Sequence, residues 1–224
     1  MTELLLQIFN DLLGCYGPRQ WWPADTPFEV AVGAFLTQNT AWRNVERALA
    51  ALKEEGPLTP RGLLQMHFRQ LEQRIRPAGF FRQKAQSLQL FSARLVDRYD
   101  GDLEIMLSGS LHAVRNELLS CKGIGPETAD SILLYAGGHP SFVVDAYTRR
   151  LFGRLGLVCD SAPYEELRRW FMAHLPEDSA LFNEYHALIV AQSQQVCRPR
   201  PLCQDCWLRE NCSVFLNRRA GAPC

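Results

Sequence analysis

The segment Leu118-Leu119-Ser120-Cys121-Lys122-Gly123-Ile124-Gly125-Pro126-Glu127-Thr128-Ala129-Asp130 constrains the fold more tightly than any other stretch of the chain. An apolar helix ends here, because two glycines one residue apart reverse the backbone. Pro126 follows where a first helical residue tolerates proline, so a second helix begins at once. Ile124, between the glycines, is placed to plug the two helices together. The glycines let the backbone approach a phosphate, and the start of the second helix presents free N–H groups to it. A helix–hairpin–helix of this kind grips a nucleic-acid backbone without reading its sequence. An ordinary helix corner would also explain these residues. A dinucleotide-binding loop is excluded, since it needs a preceding strand and a third glycine.

The rest of the chain follows a helical rhythm, with apolar residues mostly three and four apart. The expected helices are 3–13, 27–37, 41–54, 59–66, 68–75, 81–99, 103–108, 111–120, 127–136, 146–155, 163–174 and 179–196. Breakers separate them: Gly17-Pro18, Gly56-Pro57, Arg76-Pro77-Ala78-Gly79, the 123–126 turn and Gly137-Gly138-His139-Pro140. Only Ser141–Val144 looks extended, and it is too short to imply a sheet. The expected class is all-α, over one to two domains' worth of chain.

The chain has 24 basic and 24 acidic residues, for a formal net charge of zero. That excludes a binder working by bulk positive charge but permits a local basic face. The only lysines are Lys53, Lys84 and Lys122. Any chemistry that needs a side-chain amine must use one of them. No apolar run is long enough to span a bilayer, and the N-terminal stretch carries Glu3 and Asp11 without a basic leader, so it reads as a helix. The default expectation is an intracellular, reducing location.

Of the 8 cysteines, four crowd together as Cys197-x5-Cys203-x2-Cys206-x5-Cys212. In a reducing compartment such crowding points to a metal centre rather than to disulfides. Zinc usually takes two C-x2-C pairs or a Cys/His mix. Here only the central pair has that spacing, and the wider wrap suits an iron–sulfur cubane better, although zinc or no metal stays open on spacing alone. Cys15, Cys121, Cys159 and Cys224 read as ordinary thiols. Arg198, Arg200 and Arg209 on the same loop would either meet phosphates or form a solvated face.

Two further constellations carry possible chemistry. Asp145 follows two valines at the start of an apolar helix, where it is either a helix cap or a carboxylate at the mouth of a cleft. Trp21 and Trp22 are adjacent and stopped by Pro23, so one or both would line a cavity, with Trp42 as a further candidate. Trp170 lies in an amphipathic helix and reads as core.

The hairpin, an aspartate eighteen residues after Glu127 and a C-terminal four-cysteine loop, in this order, resemble the endonuclease III branch of the helix-hairpin-helix DNA glycosylases. The resemblance covers nearly the whole chain. Leu36-Thr37-Gln38-Asn39-Thr40 is similar to that family's early LSxQ(T/N) segment, Gly79-Phe80-Phe81-Arg82-Gln83-Lys84-Ala85 to its G-(L/F)-(Y/F)-x-x-K-A segment, and Val144-Asp145 to its catalytic aspartate motif. The key departure is Glu127, which stands where bifunctional members carry lysine; a carboxylate cannot form a Schiff base at C1′. The 3-methyladenine DNA glycosylase III branch is closer still. It resembles the chain in Trp21-Trp22-Pro23, the Leu36–Thr40 segment, Arg76–Phe80, Lys122–Glu127 and Val144–Tyr147. That branch is described without a cluster, so the four cysteines are a second departure. The x5 spacing before Cys203, where endonuclease III itself has x6, is a third.

The resemblance implies two helical lobes, 28–135 and 1–27 plus 136–224, with a cleft between them that receives an extruded base, Asp145 and Glu127 flanking it. It implies a [4Fe–4S] cluster on Cys197, Cys203, Cys206 and Cys212. It assigns catalysis to Asp145, with Glu127 touching the base or raising the Asp145 pKa by like-charge repulsion. Trp21, Trp22, Pro23, Trp42 and Tyr147 become the base pocket. Gln38 would fill the hole left by the extruded nucleotide and Phe80 would wedge the opposite strand. Lys122, Gly123 and Gly125 would hold phosphates. The expected protein is a monomeric, cytoplasmic, nucleoid-associated bacterial DNA glycosylase. Its partner is double-stranded DNA with a damaged base, not a membrane, and its expected substrates are alkylated purines, released without strand cleavage. The same residues also admit a bifunctional glycosylase and AP lyase acting on oxidised pyrimidines, or a non-catalytic DNA-structure binder.

Overall fold

The computed structural model describes residues 1–19, 21–54 and 56–219, and among these it contains helices and no strand. Cys224 lies outside the described residues. In chain order the helices are α1 (Thr2–Tyr16), α2 (Pro27–Thr37), α3 (Trp42–Leu52), α4 (Pro60–Gln65), α5 (Phe68–Arg74), α6 (Phe81–Tyr99), α7 (Leu103–Leu107), α8 (Leu111–Leu119), α9 (Pro126–Tyr135), α10 (Ala146–Leu155), α11 (Tyr164–His174), α12 (Ser179–Gln195) and α13 (Ser213–Arg219). The apolar periodicity marks all but the last, which follows Cys212. Ser141–Val144 is not helical, as expected, but it joins no strand. No described helix is long and apolar enough to cross a membrane.

The chain divides into two compact units, 22–141 and 1–21 plus 142–224. In the first, α2 is buried from Phe28 to Leu36 and apolar on every side but for Glu29, whose carboxylate pairs with Lys53, as suits a central helix. Its start is set by Thr26, whose hydroxyl accepts from Glu29 N at 3.1 Å, and by Pro27 behind it. It packs against α3, α6 and α9. Helices α8 and α9 form the hairpin. Gly123 turns the chain at φ 86°, and a Cβ there would lie 2.3 Å from Ser87 Oγ, so glycine is required by both conformation and space. Ile124 is buried between the helices. Below it, Arg115 on α8 grips the fully buried Asp130 on α9 through two bonds of 2.8 and 2.9 Å, and the Ser141 hydroxyl donates to the same carboxylate.

In the second unit α12 is the central element, with α1 and α10 packed against it. Phe142, Phe152, Phe171, Phe182 and Tyr185 form its aromatic core, Phe142 stacking on Phe171 at 4.2 Å. The Tyr185 hydroxyl donates to Leu5 O at 2.8 Å and ties α1 to α12. Trp170 is only half-buried, against Phe171 and His174. It faces the edge of this core, which corrects its reading as a core residue.

Candidate functional site

Phe142, Val143 and Val144 are buried and deliver Asp145 to the N-terminus of α10. Asp145 is that helix's cap: one carboxylate oxygen accepts from Thr148 N at 2.7 Å and Thr148 Oγ1 at 2.9 Å. The other oxygen is 3.5 Å from His186 Nε2 on α12. Burial pushes this carboxyl's pKa up, but His186 and the Thr148 hydrogen bonds outweigh it and hold the group below the ordinary carboxylate range. This corrects the expectation of a raised pKa. A cap uses one oxygen, so the capping and the catalytic readings of Asp145 are compatible. No pattern in the chain marks His186, which sits in an apolar helix like any core histidine.

The hairpin presents its polar groups outward. Lys122, Gly123, Gly125 and Glu127 are all exposed. Gly125 caps α9 without a side-chain hydrogen bond, so the first turn of α9 offers N–H groups that no cap side chain occupies. Lys122 Nζ reaches Gln86 Oε1 at 3.0 Å. Glu127 lies in that first turn, and its backbone carbonyl accepts from Ser131 Oγ at 2.8 Å. The other two amines are engaged elsewhere. Lys53 pairs with Glu29 at 2.7 Å and Asp25 at 3.0 Å. Lys84 is buried and donates to three backbone carbonyls.

The tryptophans divide. Trp21 belongs to one unit and Trp22 to the other. Trp22 meets Trp42 edge-on at 4.9 Å and Tyr135, near the end of α9, at 5.1 Å. It lies across Gly33 of α2, where a Cβ would sit 3.0 Å from the indole. Trp42 Nε1 donates to Glu46 at 3.0 Å. Three half-buried aromatic rings thus gather beside the hairpin helix. Neither Tyr135 nor Gly33 is marked by sequence pattern, because each depends on a contact across helices. Pro23 is exposed, and Tyr147, half-buried on α10, carries the Arg150 guanidinium 5.1 Å over its ring. Gln38 closes α2, and its amide donates to Gly123 O and Thr128 Oγ1, each at 2.9 Å. Phe80 precedes α6 and is 64% exposed.

Cys197, Cys203, Cys206 and Cys212 line one cavity together with Leu151, Leu155 and other apolar neighbours. Among the described residues no group of three or more His, Cys, Asp or Glu is arranged to hold a metal ion. The chemistry of the four sulfurs nevertheless fits a cationic centre. Gln192 Nε2 donates to Cys206 Sγ at 3.2 Å and Arg154 Nη1 to Cys197 Sγ at 3.4 Å, and such donors favour thiolate. Burial, with Cys197 and Cys212 adding to it, pushes the Cys206 thiol up, and positive charge at the centre of the four sulfurs would offset that. Arg154 also holds the carbonyls of Arg198 and Pro199, and Arg150 that of Cys197. Cys15 and Cys159 are exposed and Cys121 is buried.

Residues 32–177 match the family model for HhH-GPD superfamily base excision DNA repair proteins. A Methanocaldococcus jannaschii protein provisionally named a DNA repair glycosylase is 46% identical over 94% of this chain and 96% of its own. Endonuclease III of Thermotoga maritima is 32% identical, over 87% of this chain and 86% of its own. Among solved structures, the H. pylori 3-methyladenine DNA glycosylase bound to 1,N6-ethenoadenine superposes with a TM-score of 0.73 at 29% identity, covering 87% of this chain and 97% of the other.

Proposed function

Because the chain belongs to the HhH-GPD superfamily of base excision DNA repair proteins, as one of its DNA glycosylases, we propose that it releases alkylated purines, 3-methyladenine first, and leaves the strand uncut. The observation that carries this reading is Glu127, exposed in the first turn of α9 where a lyase would need an amine. Lys84 has the depressed pKa of a Schiff-base lysine, about 8, but it is 5% exposed and bound on three sides, so it cannot reach a sugar. The H. pylori relative, a 3-methyladenine DNA glycosylase, supports the substrate class. The Thermotoga relative, an endonuclease III, favours the second reading, a bifunctional enzyme for oxidised pyrimidines.

The chemistry follows from the residues. The lesion strand is held at the hairpin by Lys122 and the N–H groups around Gly123 and Gly125. The base is extruded, Gln38 takes its place in the stack and Phe80 wedges the other strand. Trp22, Trp42 and Tyr135 favour a flat cationic base over neutral adenine by about 0.5–2 kcal/mol through cation–π attraction. Pro23, Glu127, Trp21 and Tyr147 are proposed as further contacts of the base. The glycosidic C1′–N bond breaks with its electron pair leaving on the base. Asp145, kept anionic by His186 and Thr148, stabilises the sugar's oxocarbenium charge. Water adds to C1′, its proton passes to the Asp145 carboxylate and from there to solvent, and an abasic site is left. Cys197, Cys203, Cys206 and Cys212 would hold a [4Fe–4S] cluster, which when bound supplies a structural pin for the arginine-bearing 197–212 loop. The enzyme acts as a monomer on duplex DNA.

Asp145→Asn is expected to keep DNA binding and to cost roughly 10²–10⁴-fold in excision. Trp22→Ala and Trp42→Ala are expected to impair release of alkylated adenine more than binding to undamaged duplex. Excision of 3-methyladenine that survives Asp145→Asn unchanged would refute the assignment of catalysis to Asp145, whereas duplex binding with no base release, unchanged in Asp145→Asn, would favour a non-catalytic DNA-structure binder.

A further inference from the structure

Lys84 lies in the first turn of α6, nearly inaccessible to solvent, and no carboxylate contributes to its environment; burial alone lowers its pKa. A buried ammonium is costly unless its hydrogen bonds are fully used. Here they are: its three protons go to Leu36 O, Gln38 O and Ala78 O, each at 2.8 Å. Two of these carbonyls belong to the end of α2 and one to the turn before α6. Capping the end of α2 alone would not need the third.

The two segments share a second property. Asn39, just after Gln38, has φ 54°, and Phe80 has φ 45°. Neither is glycine; asparagine enters such a backbone more readily than most residues, but a bulky side chain such as Phe80 does so only where its surroundings impose it. Lys84 bonds within one or two residues of both. Gln38 extends the connection, since its amide bonds the hairpin at Gly123 O and Thr128 Oγ1. Phe80, at the other loop's tip, is left projecting.

We propose that Lys84 is a positioning residue for base extrusion, its ammonium clasping the Gln38 and Phe80 loops so that both enter the duplex at a fixed spacing. The inference rests on the reading that these loops enter DNA. It does not depend on which base is removed. A clasp of backbone carbonyls sets where Gln38 and Phe80 stand without touching the nucleotide. Misplacement of an interacting group by about 1 Å can cost of order 10²-fold.

The test uses the full chain and a duplex with 2-aminopurine beside a tetrahydrofuran abasic analogue, so that extrusion is read as fluorescence without any dependence on lesion preference. Wild type should raise the fluorescence on binding. Lys84→Met should bind undamaged duplex as wild type does, yet reduce extrusion by about 10²-fold and lower single-turnover kcat rather than raise KM. Lys84→Arg keeps the charge, but its planar fork cannot aim three protons at three converging carbonyls, so it should fold normally and fail to restore extrusion. If the Met variant does not fold, as judged by far-UV circular dichroism, the Arg variant carries the test. Full extrusion by a folded variant overturns the clasp while leaving the glycosylase reading intact. A wild type that extrudes nothing overturns both. Extrusion without 3-methyladenine release leaves the clasp standing and removes only the substrate assignment.

Discussion

The hairpin turn at 121–126 and the cysteine loop at 197–212 are both short and irregular, but they keep their shape by different means. The turn is fixed by the chain itself. Gly123 sits against Ser87, Ile124 is buried, and Arg115, Asp130 and Ser141 lock α8 to α9 below it. The cysteine loop has only two short 3-10 turns, at Cys203–Asp205 and Arg209–Asn211. Its four sulfurs face one cavity and its carbonyls hang from Arg150 and Arg154. A site that holds phosphates by backbone N–H groups needs rigidity the sequence can encode directly. A site that presents arginines from a coil has less local structure to fix it, and the proposed cluster would supply the missing pin. If the proposed cluster is what holds the cysteine loop, losing it will affect that loop and leave the hairpin standing.

Cys206→Ser gives the most severe case. Iron should fall from about four per chain to a small residue, and protease should cut within 197–212 while α8 and α9 remain protected. Stoichiometric zinc with no visible chromophore in wild type would contradict the cluster. Serine at Cys15, Cys121 or Cys159 should not change the iron content. Asp130→Ala attacks the other region. It leaves Arg115 without its buried partner and should cost about 3–5 kcal/mol of stability, measured by urea unfolding, with iron retained. Loss of iron in that variant would show that the two regions are not independent.

Smaller effects come from single charges. Asp145 has its pKa lowered in the folded protein, so it adds stability above the unfolded carboxylate pKa, about 3.9, and that stability is lost as pH falls through the lower folded value. Wild type should therefore lose its advantage over Asp145→Asn in acid, below the ordinary carboxylate range. An advantage that persists there would mean that the Thr148 and His186 contacts do not depend on charge. Lys122→Ala should have the least effect: weaker binding to all sequences alike, and a salt dependence flattened by about one phosphate contact. A loss confined to damaged DNA would place Lys122 in the chemistry instead.

The same contrast explains what could be read in the sequence. The hairpin is local: Gly123, Gly125 and Pro126 act through their own dihedral angles and are visible in a thirteen-residue window. So is the Asp145 cap, with Thr148 three residues on. The cysteines announce themselves by spacing, though the helix after Cys212 does not. What escaped is held by partners far along the chain. His186 meets Asp145 from forty-one residues away, Tyr135 and Gly33 take their roles from Trp22, and Lys84 looks like any surface lysine until its carbonyls are seen. Periodicity reports which face of a helix is buried, not which buried group meets which.

The absence of an amine at Glu127 is tested by incubating the enzyme with one duplex containing 3-methyladenine and another containing thymine glycol, then resolving each with and without hot alkali, alongside borohydride trapping. Release of 3-methyladenine should leave the strand intact until alkali is added, and borohydride should trap no covalent complex. Strand breaks at thymine glycol before alkali, with a trapped complex, would contradict this and assign the lyase step to one of the three lysines.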